Sequence, residues 1–544
     1  MKQLFILVLP FILSVTIASA QLNDETAAPR VQTANGMLEG VNASGIKIFK
    51  GIPFARPPLG NLRWREPQPV ENWAGVRKAD KFGSRPMQIR ASYSDMVFRS
   101  DSISEDCLYL NVWTPAKSPA ARLPVLVYFF GGGFRTGESS EYRYDGESMA
   151  RKGIVAITVN YRLNVFGFLA HPELTRESPH HASGNYGLMD QAAALQWVKK
   201  NVAAFGGDPE KITIAGESAG SFSVSAQMAS PLSKNLIAGA IGESGSFLGL
   251  NAPLPLSETE RLGVEFADSV GAMSLAELRA IPAGKLLQAT SRFSNSRFRA
   301  TVDGYFFPKP PLQIFTAGEQ AHVPLLVGWN SEEDSYTSIL GKDKPTKENY
   351  IKAIQKMYGE RAAEILKVYN PSTDSEVEQV ATDLASDRFI SFSTWRWADL
   401  QSKTGGKPVY RYLFSRARPL TKIQAAKLLI GQAEGSLPKD TLASAMQMEA
   451  THGAIHSTEI EYALGNLSTN TVFEWQPEDF RVSEIMQAYF ANFIKTGNPN
   501  GTGLPVWPFV QSGKVAAFMH IDVNTRPETE KNRQRYLFNE TIAR

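Results

Sequence analysis

Lys211-Ile212-Thr213-Ile214-Ala215-Gly216-Glu217-Ser218-Ala219-Gly220 is the stretch on which the reading of this chain turns. Its first half is a short β-branched run, and residues 221–228 beyond it can continue as a helix. Between them a serine stands two residues from a glycine on either side. A strand that turns this sharply into a helix crowds any side chain at the flanking positions, so they require glycine, and the turn projects the serine hydroxyl clear of the sheet. With glycine near 7% of residues, such a pentapeptide arises by chance in roughly a fifth of chains this long, so its surroundings must decide.

The chain carries its own control for this pattern. Gly242-Glu243-Ser244-Gly245-Ser246 has serine where the last glycine belongs, and Ser244 is expected to end a neighbouring strand in a structural role. A second feature supports Ser218. Gly131-Gly132-Gly133 follows a predicted strand at 125–130 and offers backbone N–H groups with no side chain in the way, which is what an oxyanion formed at the serine would need.

Outward from these motifs, residues 125–130, 154–159 and 211–215 read as short strands. A helix is expected at 189–202, with Asn185-Tyr186-Gly187 as the turn before it. Further buried strands are expected at 237–241, 324–327 and 409–414. Strands that alternate with helices imply a mostly parallel sheet flanked by helices. The N-terminal part differs: 31–41 and 46–49 read as short strands, with Asn35-Gly36 as a tight-turn signal for an antiparallel hairpin. Irregular helical stretches at 251–320 and 421–448 read as insertions over the sheet. No internal repeat, low-complexity tract or long linker divides the chain.

Composition bounds the function classes. The 544 residues are 43% hydrophobic and 20% charged, and 57 basic against 54 acidic residues leave a net charge of +3. Like charges do not cluster in blocks, and neither zinc-finger spacing nor an RNA-binding aromatic signature occurs, so no nucleic-acid partner is expected. Lys2, an apolar run at 4–17 and Ala18-Ser19-Ala20 have the three-part form of a cleavable secretory signal, giving residues 1–20 as signal peptide and 21–544 as one elaborated domain. About 14 apolar residues fall short of the roughly 20 that span a bilayer, so no membrane span is expected. Cys107 is the lone cysteine, so no intramolecular disulfide can form, which fits a bacterial periplasmic or secreted protein. The sequons at Asn42, Asn466 and Asn539 matter only in a eukaryotic secretory path.

Three longer stretches then carry a resemblance: Gly51-Ile52-Pro53-Phe54-Ala55, Glu105-Asp106-Cys107-Leu108-Tyr109-Leu110-Asn111-Val112, and the block from Phe205-Gly206-Gly207-Asp208-Pro209 through Gly220. With them the chain resembles the type-B carboxylesterases over nearly its whole mature length. The resemblance implies an α/β-hydrolase fold with helical insertions over the active site. It also implies a serine hydrolase of uncharged carboxylic esters, working without cofactor or metal on a small-molecule ester. Ser218 would be the nucleophile, and Gly132, Gly133 and Ala219 would supply the oxyanion hole. Gly328-Trp329-Asn330-Ser331-Glu332-Glu333 is similar to the family's acid loop, and Gly453-Ala454-Ile455-His456 with Glu459-Ile460 and Tyr462 to its histidine loop. Glu333 and His456 would complete the triad.

Two positions depart from the family pattern. Asp334 stands where glycine is common, and Phe130 where many relatives carry histidine before the glycines. Other readings of the residues stay open. Glu332, Glu333 and Asp334 could be a solvated acidic loop, His452 and His456 a zinc pair four residues apart, and Cys107 a nucleophile rather than a buried thiol. A catalytically idle binding or adhesion protein on the same fold is the alternative of a different class. An esterase specialised for aryl esters, lactones or other acyl substrates is the alternative within the same chemistry.

Overall fold

The run that ends at Glu217 is the centre of a large sheet, and Ile212 to Glu217 are all buried because both faces of that sheet are covered. The structure is a computed structural model that describes residues 28–89, 96–293, 297–424, 426, 453–511 and 516–542. Residues 1–20, read as a signal, and most of the expected insertion at 421–448 lie outside the described residues.

The large sheet has eleven strands. They are β1 (Val41–Ala43), β2 (Ile46–Pro53), β3 (Tyr109–Thr114), β4 (Leu123–Phe129), β5 (Val155–Val159) and β6 (Gly207–Glu217). The rest are β7 (Gly239–Glu243), β8 (Leu325–Asn330), β9 (Val409–Phe414), β10 (Ala517–Ile521) and β11 (Arg526–Thr529). Their spatial order is β11-β10-β9-β8-β7-β6-β4-β5-β3-β2-β1. Strands β4 to β10 pair in parallel, whereas β1, β2, β3 and β11 pair antiparallel at the two ends. The exchange of β4 and β5 in this order leaves β4 beside β6, so the glycine loop after β4 and the serine after β6 meet at one edge of the sheet.

Alternation along the central strands feeds two cores. Val125, Val127 and Phe129 of β4 join Ile212 and Ile214 in one, while Leu126 and Tyr128 join Ala215 and Ile241 in the other. The helix Tyr186–Asn201 covers the first, and the helix Pro477–Thr496 the second. A third, smaller core holds the helices between Thr337 and Ser386.

Three local expectations need correction. The N-terminal hairpin pairs Arg30–Thr33 with Gly36–Glu39, so its turn is Ala34-Asn35 and Gly36 begins the second strand. Gly36 is required there for a different reason: a Cβ would fall 2.5 Å from Nε1 of Trp73, whose indole lies against the strand. Tyr186 and Gly187 are not a turn but the first residues of their helix, where a Cβ on Gly187 would fall 2.4 Å from the carbonyl oxygen of Arg162. Strands β10 and β11 were not expected at all. Strand β11 is a short polar edge strand, and β10 beside it has only five residues, its apolar run interrupted by His520, so neither carries the longer apolar run that marked the inner strands.

A tight backbone contact holds the end of β6. A Cβ on Gly220 would stand 2.0 Å from the carbonyl oxygen of Phe129, and one on Gly216 2.6 Å from the backbone of Gly220. We expect Gly220→Ala to force these backbones apart at a cost of about 1–3 kcal/mol, the usual range for overpacking. Thermal unfolding would show it as a lowered midpoint; an unchanged midpoint would mean that the backbone yields at this contact without cost.

Candidate active site

Ser218 sits between β6 and the helix Ala219–Ala229 with φ 54° and ψ −120°, a conformation that side-chain-bearing residues rarely adopt. The turn is pinned on both sides: Ser218 N–H donates to the carbonyl of Glu243 at 2.8 Å, and Phe222 N–H donates to the carbonyl of Ser218 at 2.9 Å. The strain is held by glycine-only packing against β4, so the hydroxyl faces the cavity at the sheet's edge.

Three residues from distant parts of the chain meet there. Oγ of Ser218 lies 2.9 Å from Nε2 of His456, and Nδ1 of His456 lies 2.6 Å from Oε2 of Glu333. Glu333 is fully engaged, since its Oε1 accepts from the backbone N–H of Asn330 at 2.6 Å and from the Ser244 hydroxyl at 2.5 Å. Such a chain lets the imidazole accept a proton from the serine while the carboxylate fixes the ring's tautomer and stabilises its cation.

The acidic loop divides its work rather than facing solvent as a unit. Glu332 accepts from the backbone N–H of Gly453 at 2.7 Å and so ties down the histidine loop. Glu333 alone reaches the imidazole. Asp334, the residue in place of glycine, accepts from Ser335 N–H and the Ser338 hydroxyl and shapes the start of the next helix. Ser244, the near-copy of the elbow serine, also has a positive φ of 59°, but its hydroxyl is spent on Glu333 and Glu459. His452 lies outside the described residues. Cys107 is a buried free thiol, and burial pushes its pKa well up.

Sequence reasoning did not anticipate how many carboxylates gather here. Glu217 accepts from Ser457 Oγ at 2.6 Å and places Oε1 3.3 Å from Nε2 of His456. Glu459 accepts from Asn330 Nδ2 at 2.6 Å, and Glu243 accepts from the Tyr128 hydroxyl at 3.1 Å. Their signal was in the quoted motifs, in which these glutamates stand one residue before or three after the residues singled out. Burial pushes the Glu243 carboxyl well above its ordinary value. Burial, with the Glu333 and Glu217 charges, pushes Glu459 to about 8. For His456 burial works downward, but the Glu217 and Glu333 carboxylates with the Glu333 hydrogen bond outweigh it and hold the pKa up, at about 9. The ring remains 25% exposed, so that field is partly screened by solvent.

The glycine loop lies across the cavity from the base. Gly132 and Gly133 have φ of 108° and 64°, and the Gly132 carbonyl accepts from Arg135 and Thr136 N–H. The N–H groups of Gly132, Gly133 and Ala219 have no acceptor among the described residues, and all three residues line the cavity with Ser218. Phe130 does not wall this cavity; it is buried and stacks on Tyr161 at 4.3 Å. The aromatic wall comes instead from Phe134, Phe222, Phe247, Phe298, Phe389 and Phe473. Phe389 stands on a π-helical turn, Asp387–Ser391, inserted between two α-helices, and its ring meets His456 edge-on at 5.1 Å. Among the described residues no group of histidine, cysteine and acidic side chains is arranged to hold a metal ion.

Comparison with known proteins bears on the same geometry. The family described as "Carboxylesterase family" matches residues 27–539. This chain belongs to the carboxylesterase family. It is 34% identical over 515 residues to the fumonisin B1 esterase of Sphingopyxis macrogoltabida, covering 89% of this chain and 85% of that protein. It is 33% identical over 518 residues to the human cocaine esterase, covering 90% and 85%. Among solved structures it is similar to the Geobacillus stearothermophilus carboxylesterase EST55, with a TM-score of 0.77 and 29% identity over 95% of this chain and all of that one. The carboxylesterase reading fixes the reaction class as hydrolysis of carboxylic esters, on the α/β-hydrolase fold.

The carboxylate field around His456 in this carboxylesterase is directly measurable. An NMR titration of the free enzyme should place the His456 imidazole above the ordinary value of about 6.5. Glu217→Gln should bring it down, because one of the two charges that favour the cation is gone. An imidazole that titrates at or below 6.5 and does not respond to Glu217→Gln would show that burial outweighs those charges.

Proposed function

We propose that this carboxylesterase cleaves its ester through an acyl-enzyme on Ser218. His456 Nε2 removes the hydroxyl proton as Oγ attacks the carbonyl carbon. The oxyanion that forms is stabilised by the N–H groups of Gly132, Gly133 and Ala219. Collapse of the tetrahedral adduct expels the alkoxide, which takes the proton back from His456. A water then repeats the sequence, losing its proton to His456, and the acid leaves as Ser218 recovers its own. Glu333 orients the imidazole throughout. The observation that carries this reading is the continuous chain Ser218 Oγ, His456, Glu333 at 2.9 and 2.6 Å, opening into a cavity that the unpaired glycine-loop N–H groups share. All three positions are filled, which argues against a catalytically idle relative.

The rest of the chain is consistent with an exported enzyme of one elaborated hydrolase unit over residues 21–544. The large sheet draws strands from Val41 to Thr529, and the signal-like N-terminus with a lone cysteine supports export to a bacterial periplasm or medium. No described helix is long and apolar enough to cross a membrane.

Two experiments test the mechanism. A fluorophosphonate probe should modify Ser218 and no other hydroxyl; peptide mapping that placed the label on Ser244, or found none on active enzyme, would refute the assignment. Glu333→Gln should lower kcat by about 10⁴-fold, as the equivalent change does in serine proteases. Glu332→Gln keeps an acceptor for Gly453 and should cost far less, as should Asp334→Asn; steady-state kinetics that ranked Glu332 above Glu333 would shift the acid to its neighbour.

A further inference from the structure

The cavity over Ser218 has a volume of about 830 Å³, and among the described residues its wall carries four arginines, Arg135, Arg143, Arg299 and Arg418, against one carboxylate, Glu217. Two of the arginines are neutralised within the protein. Arg143 pairs with the buried Glu141, and Arg418 donates to Glu461 at 2.8 Å and to the Ser457 carbonyl. Glu217 is committed to Ser457 and His456. The other two guanidinium groups are not balanced. The Arg135 guanidinium makes no hydrogen bond or ion pair with any described residue, the backbone N–H alone being bonded, to the Gly132 carbonyl. Arg299 donates to the carbonyl of Ala252 at 2.7 Å and has no carboxylate partner among the described residues; the field of Glu258 reaches it without an ion pair.

A cation on the wall of a largely aromatic cavity is disfavoured unless something there compensates it. Burial indeed pulls the pKa of Arg299 below its ordinary value. Position matters as well. Arg135 stands over the glycine loop, with Nε 3.6 Å from where a Cβ on Gly133 would be, and Arg299 is fixed between the cavity residues Phe298 and Ala300 beside a two-stranded ribbon, Leu254–Pro255 with Thr301–Val302. At the reacting end the charges have the opposite sign, since Glu217 and Glu333 flank His456. An anion is therefore repelled from the serine and attracted towards the two arginines.

We propose that the substrate is an ester that carries a second, free carboxylate, such as the mono-ester of a dicarboxylic acid, and that Arg135 and Arg299 bind that carboxylate while the ester lies over Ser218. The planar guanidinium matches a carboxylate with paired N–H donors, and exclusion of water by the aromatic wall strengthens the attraction. The sequence suggested only uncharged esters. This inference rests on ester hydrolysis at Ser218 and adds the charge of the substrate to it.

The test compares charged and uncharged versions of the same ester. One pair places the carboxylate in the acyl part, 4-nitrophenyl hemiglutarate against 4-nitrophenyl methyl glutarate. The other places it in the alcohol part, 4-acetoxybenzoate against methyl 4-acetoxybenzoate. The quantity read is the ratio of kcat/KM for the charged over the uncharged ester, in the enzyme and in Arg135→Ala, Arg299→Ala and the double variant. In at least one pair the native enzyme should favour the charged ester. The double variant should lower that ratio by about tenfold or more, the worth of a charge-assisted hydrogen bond. The loss should fall mainly on KM, and the lysine variants should restore part of it. Glutarate should inhibit hydrolysis of the uncharged ester competitively, and less so in the double variant. Ratios that stay within threefold of one another in native and double-variant enzyme, while Ser218-dependent hydrolysis of uncharged esters persists, overturn the proposal and leave the serine mechanism standing. Failure of the native enzyme to hydrolyse any of the four esters would overturn both.

Discussion

The site depends on one steric constraint, the contact of Gly216 and Gly220 with the backbone at the end of β4. Phe129's carbonyl occupies the space that a side chain on Gly220 would need. Only because both positions lack a Cβ can β6 turn into its helix within a single residue, and only then is Ser218 driven to a positive φ with its hydroxyl in the cavity. The same contact sets the distance from Ser218 to the glycine loop that follows β4. The serine and the N–H donors are thus placed by one piece of backbone packing, and sheet order, with β4 beside β6, makes that packing possible.

Electrostatics forms a second layer on this frame. Glu217, Glu243, Glu333 and Glu459 are all buried at neighbouring strand or loop ends. Unpaired buried anions are costly, and the cluster resolves the cost in different ways. Burial pushes the Glu243 carboxyl well above its ordinary value, and Glu459 is shifted to about 8, far enough to be largely protonated at neutral pH. Glu333 is surrounded by donors from Asn330, Ser244 and His456. Glu217 leans on the imidazole and Ser457. In the proposed mechanism this arrangement favours the imidazolium that forms with the oxyanion, at the expense of a base that is harder to deprotonate in the resting enzyme. The arginines of the outer cavity have the opposite sign, so the site is polarised from its floor to its wall.

Much of this was legible in the sequence because it is local. The glycine requirement of the elbow, the glycine triplet after a strand, and the apolar runs of the inner parallel strands each fit within ten residues. Ser218 and the glycine triplet could be named from such motifs, whereas Glu333, His456 and the oxyanion-hole set of Gly132, Gly133 and Ala219 came from the resemblance to the family; the structure gathers five of these residues around one cavity, with Glu333 behind His456. The elements misread were those whose reason lies elsewhere in the fold. Gly36 looks like a turn residue and is a clearance for Trp73; Tyr186-Gly187 looks like a turn and is a helix start packed on Arg162.

By itself, then, the sequence determined the fold class and the serine with its glycine loop, since backbone crowding and strand burial leave their marks at adjacent positions, while the acid and the histidine were legible only through the resemblance of their loops to the family's. Only the tertiary structure decided what surrounds them. Glu332, Glu333 and Asp334 are three carboxylates in a row until the histidine loop packs across the first two and gives each a different partner, while Asp334 accepts from Ser335 and Ser338. Arg135, Arg299 and Phe389 are three unremarkable residues, up to 254 positions apart in the numbering, until two loops and a π-helical turn bring them to one cavity. Charge balance and cavity shape are sums over residues distant in the chain, and no short stretch of sequence contains them.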